Sequence, residues 1–290
     1  MNDISIIVPC YNENIDVLQN TISDIYQSLK KTDVDFEIIV VNDGSDIYYD
    51  DLNLENAKII THKKNRGYGA ALKTGIKKAK YNWIGITDAD GTYPNQNFHE
   101  LLSMSNQADM IIGTRDWNDI SLLRRTPKKI LTLFSSFLSG SEIPDLNSGM
   151  RIFKKKLAHS FWYLFPSGFS FTSTLTIGAI TNEYDVKFHP INYYKRVGKS
   201  SINPIKDTIR FFTLVTRLAL YFNPKKFFIP LSFFFLILSM ARGTRDYLLD
   251  GYFGGLTLIL VFMTFQIFFF GLLAEIINKT RKFLASDKLE

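Results

Sequence analysis

The chain has 290 residues, 46% of them hydrophobic, and 34 Lys and Arg against 28 Asp and Glu leave a formal net charge of +6. Its one cysteine, Cys10, excludes an internal disulfide and any multi-cysteine zinc site. The basic balance suits phosphorylated or anionic-lipid partners, and no basic stripe interleaved with stacking aromatics points to nucleic acid.

The first 115 residues alternate apolar runs with helical spacing. Residues 4–8 predict a strand closed by Pro9-Cys10-Tyr11-Asn12-Glu13. Met1-Asn2-Asp3 lacks a positive start, so no signal peptide is expected and the large N-terminal part is expected in the cytosol. Residues 15–29 carry the spacing of an amphipathic helix. Two further strands are predicted over 36–41, ending in Asn42-Asp43-Gly44-Ser45, and over 57–60. A helix over 67–79 opens on Asn65-Arg66-Gly67-Tyr68-Gly69, whose backbone N–H groups and Arg66 are placed to meet an anion. A strand over 83–87, a helix over 94–104 and a strand over 110–113, ending in Gly113-Thr114-Arg115, complete the run. Such alternation predicts a mostly parallel, doubly wound α/β sheet with ligands bound beyond the carboxyl ends of its strands.

The strand over 83–87 delivers Asp88-Ala89-Asp90 to that edge, where Gly91 and Pro94 break it. Like charges so close repel. A hard divalent cation with oxygen ligands relieves the repulsion and can hold a diphosphate. An acidic turn capping the helix after Pro94 accounts equally well for the spacing. Two other phosphate motifs fail: Gly67-Tyr68-Gly69 lacks the third glycine of a dinucleotide fingerprint, and Lys73-Thr74 lacks the glycines of a P-loop. His62, His99, His159 and His189 are scattered and read as packing or surface histidines.

Residues 122–138 set Arg124, Arg125, Lys128 and Lys129 beside Leu131, Phe134 and Phe137, the pattern of an amphipathic helix lying on a membrane; 204–222 repeats it. A pair of helices docked on the globular core is the alternative. Residues 227–241 and 251–274 carry no charge. Two transmembrane helices are expected over about 225–243 and 251–275, the first short enough to need Lys225, Lys226 and Arg242 snorkelling to the interfaces. Lys225, Lys226, Lys279, Arg281 and Lys282 flank the pair, which places both ends in the cytosol and the connecting loop outside. Asn278-Lys279-Thr280 matches a glycosylation pattern but falls on the expected cytosolic side. The organisation expected is a cytosolic domain over 1–203, an interfacial helix over 204–222 and a membrane domain over 223–290.

In order and spacing, Ile7-Val8-Pro9-Cys10-Tyr11-Asn12-Glu13, Val41-Asn42-Asp43-Gly44-Ser45, Asn65-Arg66-Gly67, Asp88-Ala89-Asp90, Gly113-Thr114-Arg115, Asp145-Leu146-Asn147-Ser148-Gly149 and Arg196-Val197-Gly198-Lys199-Ser200 form one set. Over residues 4–202 the chain resembles the family 2 glycosyltransferases, in particular polyprenyl-phosphate sugar synthases similar to dolichyl-phosphate mannose synthase. The resemblance implies a GT-A fold, a UDP- or GDP-sugar donor, Mg2+ or Mn2+, a polyprenyl-phosphate acceptor and inversion at the anomeric carbon. Carried over, Pro9, Tyr11, Asn12, Glu13, Asn42, Asp43, Arg66, Asp88 and Ala89 hold the nucleotide, and Asp88 and Asp90 the metal. Relatives have Gln at the position of Thr92, where it can ligate the metal, and usually Asp at that of Asn42.

A phosphate acceptor is already an anion at neutral pH, so it needs little help from a general base. Departure of the nucleoside diphosphate and the meeting of two polyanions are the difficult steps. Asp90, Arg115 and Arg196 are expected at the reaction centre, with Ser148, Arg125, Lys129 and Lys199 on the acceptor phosphate. Asp145 is expected to position the acceptor, to serve as base for a hydroxyl acceptor, or to play a purely structural part. UDP-glucose is the expected donor, by resemblance to a bacterial branch with two spans. A transferase extending a glycan is a further reading, but no Gln-x-x-Arg-Trp segment occurs. A membrane-anchored binding protein is another, and it predicts loss of the acidic pair. The apolar third also offers a surface for self-association.

Overall fold

The computed structural model describes residues 2–47, 49, 56–115, 132–137, 139–168, 170–194, 213–214, 217 and 220–286. They fall into two compact units, 1–133 with 142–204, and 134–141 with 205–290.

The first unit is built on a seven-stranded sheet. Its elements are β1 (Ile4–Cys10), α1 (Ile15–Leu29), β2 (Phe36–Asn42), β3 (Lys58–Thr61), α2 (Tyr68–Lys78), β4 (Trp83–Ile86), α3 (Phe98–Ser103), β5 (Met110–Thr114), β6 (Arg151–Lys154), α4 (Lys155–Ser160), α5 (Phe171–Thr181) and β7 (Val186–Pro190). Strand order is β3-β2-β1-β4-β6-β5-β7. β1 pairs parallel with β2 and β4, β2 with β3, and β5 with β7, while β6 runs antiparallel between β4 and β5.

β1 shows why helices cover both faces. Ile4, Ile6 and Val8 join Leu18, Ile22 and Ile25 of α1 and Leu101 of α3 in one cluster. Ile7 points the other way, onto Gly75 of α2, where an added Cβ would strike its side chain. Successive side chains on a strand alternate faces, so a strand covered on both sides must be apolar throughout. Each such Ile or Leu contributes about 1.5–3 kcal/mol when fully buried. α1 starts where expected because Asn14 caps it, its Oδ1 accepting from the Asp16 N–H at 2.8 Å.

Two strands were not legible from local pattern. β6 is four residues long, opens on a charged Arg151 and runs straight into α4, and β7 ends on Pro190. The sheet is therefore mixed rather than simply alternating, with β6 inserted between the fourth and fifth predicted strands.

The second unit contains α6 (Pro224–Asp250) and α7 (Gly255–Ser286), each long and apolar enough to cross a membrane. Their composition is turned inside out. Phe233, Phe234, Ile237, Met240, Leu258, Phe262, Phe265 and Phe269 are exposed, while Ser232, Ser239, Asp246 and Thr257 are buried. Ser232 and Ser239 donate to the carbonyls of Ile229 and Leu236 at 2.9 and 2.8 Å, so neither hydroxyl is left wanting. Buried small and polar residues with large apolar ones outside is the distribution a bilayer favours.

An ion pair stands near each end of the hairpin. Glu275 lies 3.4 Å from Lys225 and 3.7 Å from Lys279. Asp246 lies 3.0 Å from Arg242, and its other oxygen accepts from Thr257 Oγ1 at 2.7 Å and the Gly254 N–H at 3.1 Å. Seventeen residues separate Lys225 from Arg242, roughly 26 Å of helix. That approaches the ~30 Å of a hydrocarbon core. The short expected span is thus the N-terminal part of a 27-residue helix. Arg242 and Asp246, spaced i to i+4, let the helix continue into the expected loop until Gly251, at φ 77°, ends it.

Lys226 has a more specific task than snorkelling. Its Nζ donates to the Phe137 carbonyl at 2.8 Å and sits 5.7 Å from the Phe137 ring centroid, tying residues 134–141 to the start of α6. Residues 122–131 and 138 of the expected interfacial helix over 122–138, and most of that over 204–222, lie outside the described residues.

Close packing of the hairpin depends on Gly271, where an added Cβ would stand 2.7 Å from Phe228 Cβ. Gly271→Leu is expected to separate the helices and cost about 1–3 kcal/mol. Thermal unfolding in detergent checks this, and an unchanged melting temperature would refute it.

Candidate functional site

The parallel strands β1, β2 and β4 deliver their carboxyl ends to one edge. Asn12, at φ 52°, takes the left-handed conformation that Asn tolerates better than most residues. Its N–H donates to Ser45 Oγ at 2.9 Å, its Oδ1 accepts from the Asp46 N–H at 2.8 Å, and Asn42 Oδ1 accepts from the Ser45 N–H at 3.0 Å. Asn12 and Asn42 therefore hold the turn after β2. Pro9 lies within β1, the Glu13 carbonyl accepts from the Tyr49 hydroxyl at 2.5 Å, and Tyr11 keeps 46% of its surface exposed at the strand end.

Asp43 is buried and heavily engaged. Its Oδ1 stands 2.6 Å from His62 Nδ1 and accepts from the Arg66 N–H at 3.0 Å, while Oδ2 accepts from the Gly67 N–H at 2.7 Å. The other His62 nitrogen lies 2.9 Å from Thr74 Oγ1. This corrects the expectation that backbone N–H groups at the start of α2 meet a bound anion; it does not bear on the Arg66 side chain. The Gly69 and Ala70 N–H groups donate to the carbonyls of Gly168 and Ser167 at 3.1 and 2.8 Å, and those of Arg66 and Gly67 are taken by Asp43. The anion received by this turn is the chain's own carboxylate. His62 was missed because a lone histidine carries no motif. Its position directly after β3, level with the other strand ends, was the available signal.

Asp88 and Asp90 follow β4. Asp88 Oδ1 accepts from the Tyr68 hydroxyl at 3.0 Å, and burial pushes that phenol's pKa well up, which keeps it a neutral donor. Asp90 is only 8% exposed, and its Oδ1 accepts from the Thr92 hydroxyl at 2.6 Å and the Thr92 N–H at 3.2 Å. Thr92 thus orients Asp90. Ala89 between them is buried. Among the described residues no group of three or more His, Cys, Asp or Glu could hold a metal. Two carboxylates fit Mg2+ or Mn2+, hard ions that keep waters and take phosphate oxygens from a substrate, rather than a closed protein cage.

Arg115 and Asp145 are paired with each other. Arg115 Nε reaches Asp145 Oδ2 at 2.6 Å and Nη2 reaches Oδ1 at 2.8 Å, and both side chains are buried. The Asn147 N–H adds a donor to Oδ1 at 3.1 Å, and the Arg115 guanidinium carbon lies 5.1 Å from the Tyr193 ring centroid. Burial by itself would raise the Asp145 pKa, but the hydrogen bonds and charge of Arg115 outweigh it and bring it below the ordinary value. The Ser148 hydroxyl is fully buried, with no hydrogen-bond partner among the described residues. Arg125, Lys129, Arg196 and Lys199 lie outside the described residues.

A mixed α/β sheet that gathers carboxylates at the carboxyl ends of β2 and β4, with an antiparallel strand set beyond them, is the GT-A arrangement of glycosyltransferases. Residues 5–162 match the Glycosyl transferase family 2 model, and the chain belongs to that family; residues 223–280 match the GtrB C-terminal hairpin. The chain is 25% identical over 207 residues to the dolichyl-phosphate hexose transferase of Haloferax volcanii, covering 70% of this chain and 88% of that one. It is 26% identical over 212 residues to a low-salt glycan biosynthesis hexosyltransferase of the same organism, 70% and 51% covered, so the match spans about half of that relative's length. It is 27% identical over 188 residues to the dolichyl-phosphate beta-glucosyltransferase of Dictyostelium discoideum, 57% of each being covered. Glucosyl-3-phosphoglycerate synthase from Mycobacterium tuberculosis, solved with Mn2+, UDP and phosphoglyceric acid, shares the fold at a TM-score of 0.57 and 15% identity, over 75% of this chain and 78% of that one.

Proposed function

We propose that this protein moves one sugar from a nucleotide sugar to a polyprenyl phosphate, as a membrane-anchored inverting hexosyltransferase with UDP-glucose as donor. The observation that carries the proposal is the Asp88–Asp90 pair, held by Tyr68 and Thr92 at the end of β4, in a chain that also carries the apolar hairpin. Relatives named for dolichyl-phosphate substrates support the acceptor class.

Asp88 and Asp90 would hold Mg2+ or Mn2+, which when bound neutralises charge building up on a departing diphosphate. Tyr11 offers an exposed ring for a base to stack on, and Asn12, Asn42 and Asp43 keep the neighbouring turn in place. Ser148 offers its unpartnered hydroxyl to the acceptor phosphate, with Arg125, Lys129, Arg196 and Lys199 as further cationic candidates. Asp145 argues against a hydroxyl acceptor. A carboxylate held low by a bidentate guanidinium makes a poor general base, and an anionic phosphate needs none. An isoprenoid tail gives up about 0.8 kcal/mol per methylene on leaving the bilayer, so an anchored enzyme goes to its lipid. The same reading puts both chain ends in the cytosol.

Purified full-length protein, a panel of UDP- and GDP-sugars, and undecaprenyl or dolichyl phosphate test this directly. Labelled lipid is expected in Mg2+ or Mn2+ and not after EDTA. No labelled lipid across the panel would overturn the proposal.

A further inference from the structure

Arg151 is the largest of the fully buried side chains. Burial pulls its pKa down to about 10, so it stays protonated at neutral pH. Its Nε donates to the Ser148 carbonyl at 3.1 Å and its Nη2 to the same oxygen. Nη1 donates to the Thr172 carbonyl at 3.1 Å and to Thr176 Oγ1 at 2.7 Å. Among the described residues its hydrogen-bond partners are all neutral oxygens, and the nearby Asp145 charge offsets only part of its desolvation, so the buried cation is costly. A packed apolar residue would hold β6 against α5 at lower cost.

What that charge grips is the Ser148–Gly149 peptide. Arg151 holds its carbonyl from two nitrogens, and the Gly149 N–H donates to the Tyr93 hydroxyl at 2.7 Å. The peptide is thereby fixed at both polar ends. Asp88 lies against it: an added Cβ on Gly149 would stand 2.7 Å from Asp88 Oδ2 and 3.0 Å from its Cγ. Tyr68 holds the other oxygen.

We infer that Arg151 is a positioning residue for the acidic pair: by locking the Ser148–Gly149 peptide it sets the seat on which the Asp88 carboxylate lies, and with it the pair's affinity for a divalent cation. This rests on the reading that Asp88 and Asp90 hold the ion. It also gives a reason for glycine at 149, where an added Cβ would meet the Asp88 carboxylate first.

The test is Mn2+ binding to the full chain with UDP or GDP, followed by electron paramagnetic resonance, beside melting temperature. Removing an outer partner of a metal ligand typically weakens binding ~10–100-fold. Arg151→Lys and Gly149→Ala are each expected to weaken Mn2+ binding by about that factor. Thr176→Val, which removes one of the two contacts from Arg151 to α5 and leaves its grip on Ser148, is expected to lower the melting temperature and leave the isotherm unchanged. Should Arg151→Lys fail to fold, Gly149→Ala decides, since a folded variant with a wild-type isotherm shows that this seat does not set the affinity. A wild-type isotherm for Arg151→Lys or for a folded Gly149→Ala, beside weakened binding in Asp90→Ala, overturns the role of Arg151 alone. A wild-type isotherm for Asp90→Ala removes the metal reading, and the inference with it.

Discussion

Asp90→Asn is expected to lower transfer by ~10²–10³-fold, the scale seen when one group stabilising transition-state charge is lost. Asparagine is the informative choice. Its amide oxygen can still accept from the Thr92 hydroxyl and N–H, now at 2.6 and 3.2 Å from Oδ1, so the turn keeps its shape while a negative charge disappears. Alanine would also leave the Thr92 hydroxyl without this acceptor, at about 1–3 kcal/mol, mixing stability with chemistry. Transfer rates and melting curves on the same preparations separate the two. Wild-type turnover in the asparagine variant would show that the charge at this position does not serve the reaction.

Arg115→Met is expected to give the largest loss of stability, about 3–5 kcal/mol, because Asp145 stays buried at 7% exposure without its cation. For a domain of this size that is on the order of 10 °C in melting temperature. The loss has a pH signature. With Arg115 present the folded Asp145 pKa lies below its unfolded value of about 3.9, so the pair stabilises the fold above that pH. That contribution is lost as pH falls through the folded value. In the variant only the Arg115 and Asn147 backbone N–H groups oppose the rise that burial causes, so the penalty is fullest at neutral pH and shrinks on acidification. The gap between wild type and variant should therefore be widest near pH 7 and narrow below about pH 4. Equal melting temperatures at pH 7 would show that the pair contributes nothing. Arg115→Met combined with Asp145→Leu is expected to recover much of the loss, since it removes the stranded charge.

Both experiments turn on contacts that a linear reading cannot supply. Arg115 and Asp145 were each recognisable as candidates, one beyond the fifth strand and one in Asp145-Leu146-Asn147-Ser148-Gly149. Nothing in their spacing says that they neutralise each other. Asp43 was legible as a carboxylate at a strand end, but its three donors come from His62, Arg66 and Gly67, some 20 residues further on. Arg151 resembled any charged residue beside an apolar pair. Only the pairing of β6 with both β4 and β5 puts it in the middle of the sheet.

By itself the sequence determined the local periodicities and everything that follows from them. β1, β2, β4 and β5 lie within a residue or two of their predicted ends, α1 coincides with residues 15–29, and the apolar C-terminal third forms two long helices. Those features depend on neighbours within a few positions along the chain: alternation, capping by Asn14, glycine and proline breaks, and the absence of charge. The tertiary structure alone decided the antiparallel insertion of β6, the occupation of the α2 start by Asp43, and the partners of Arg115, Asp145 and Arg151. Each of these depends on groups brought together from distant segments, where hydrogen-bond geometry and desolvation choose the partner and local pattern carries no trace of the choice.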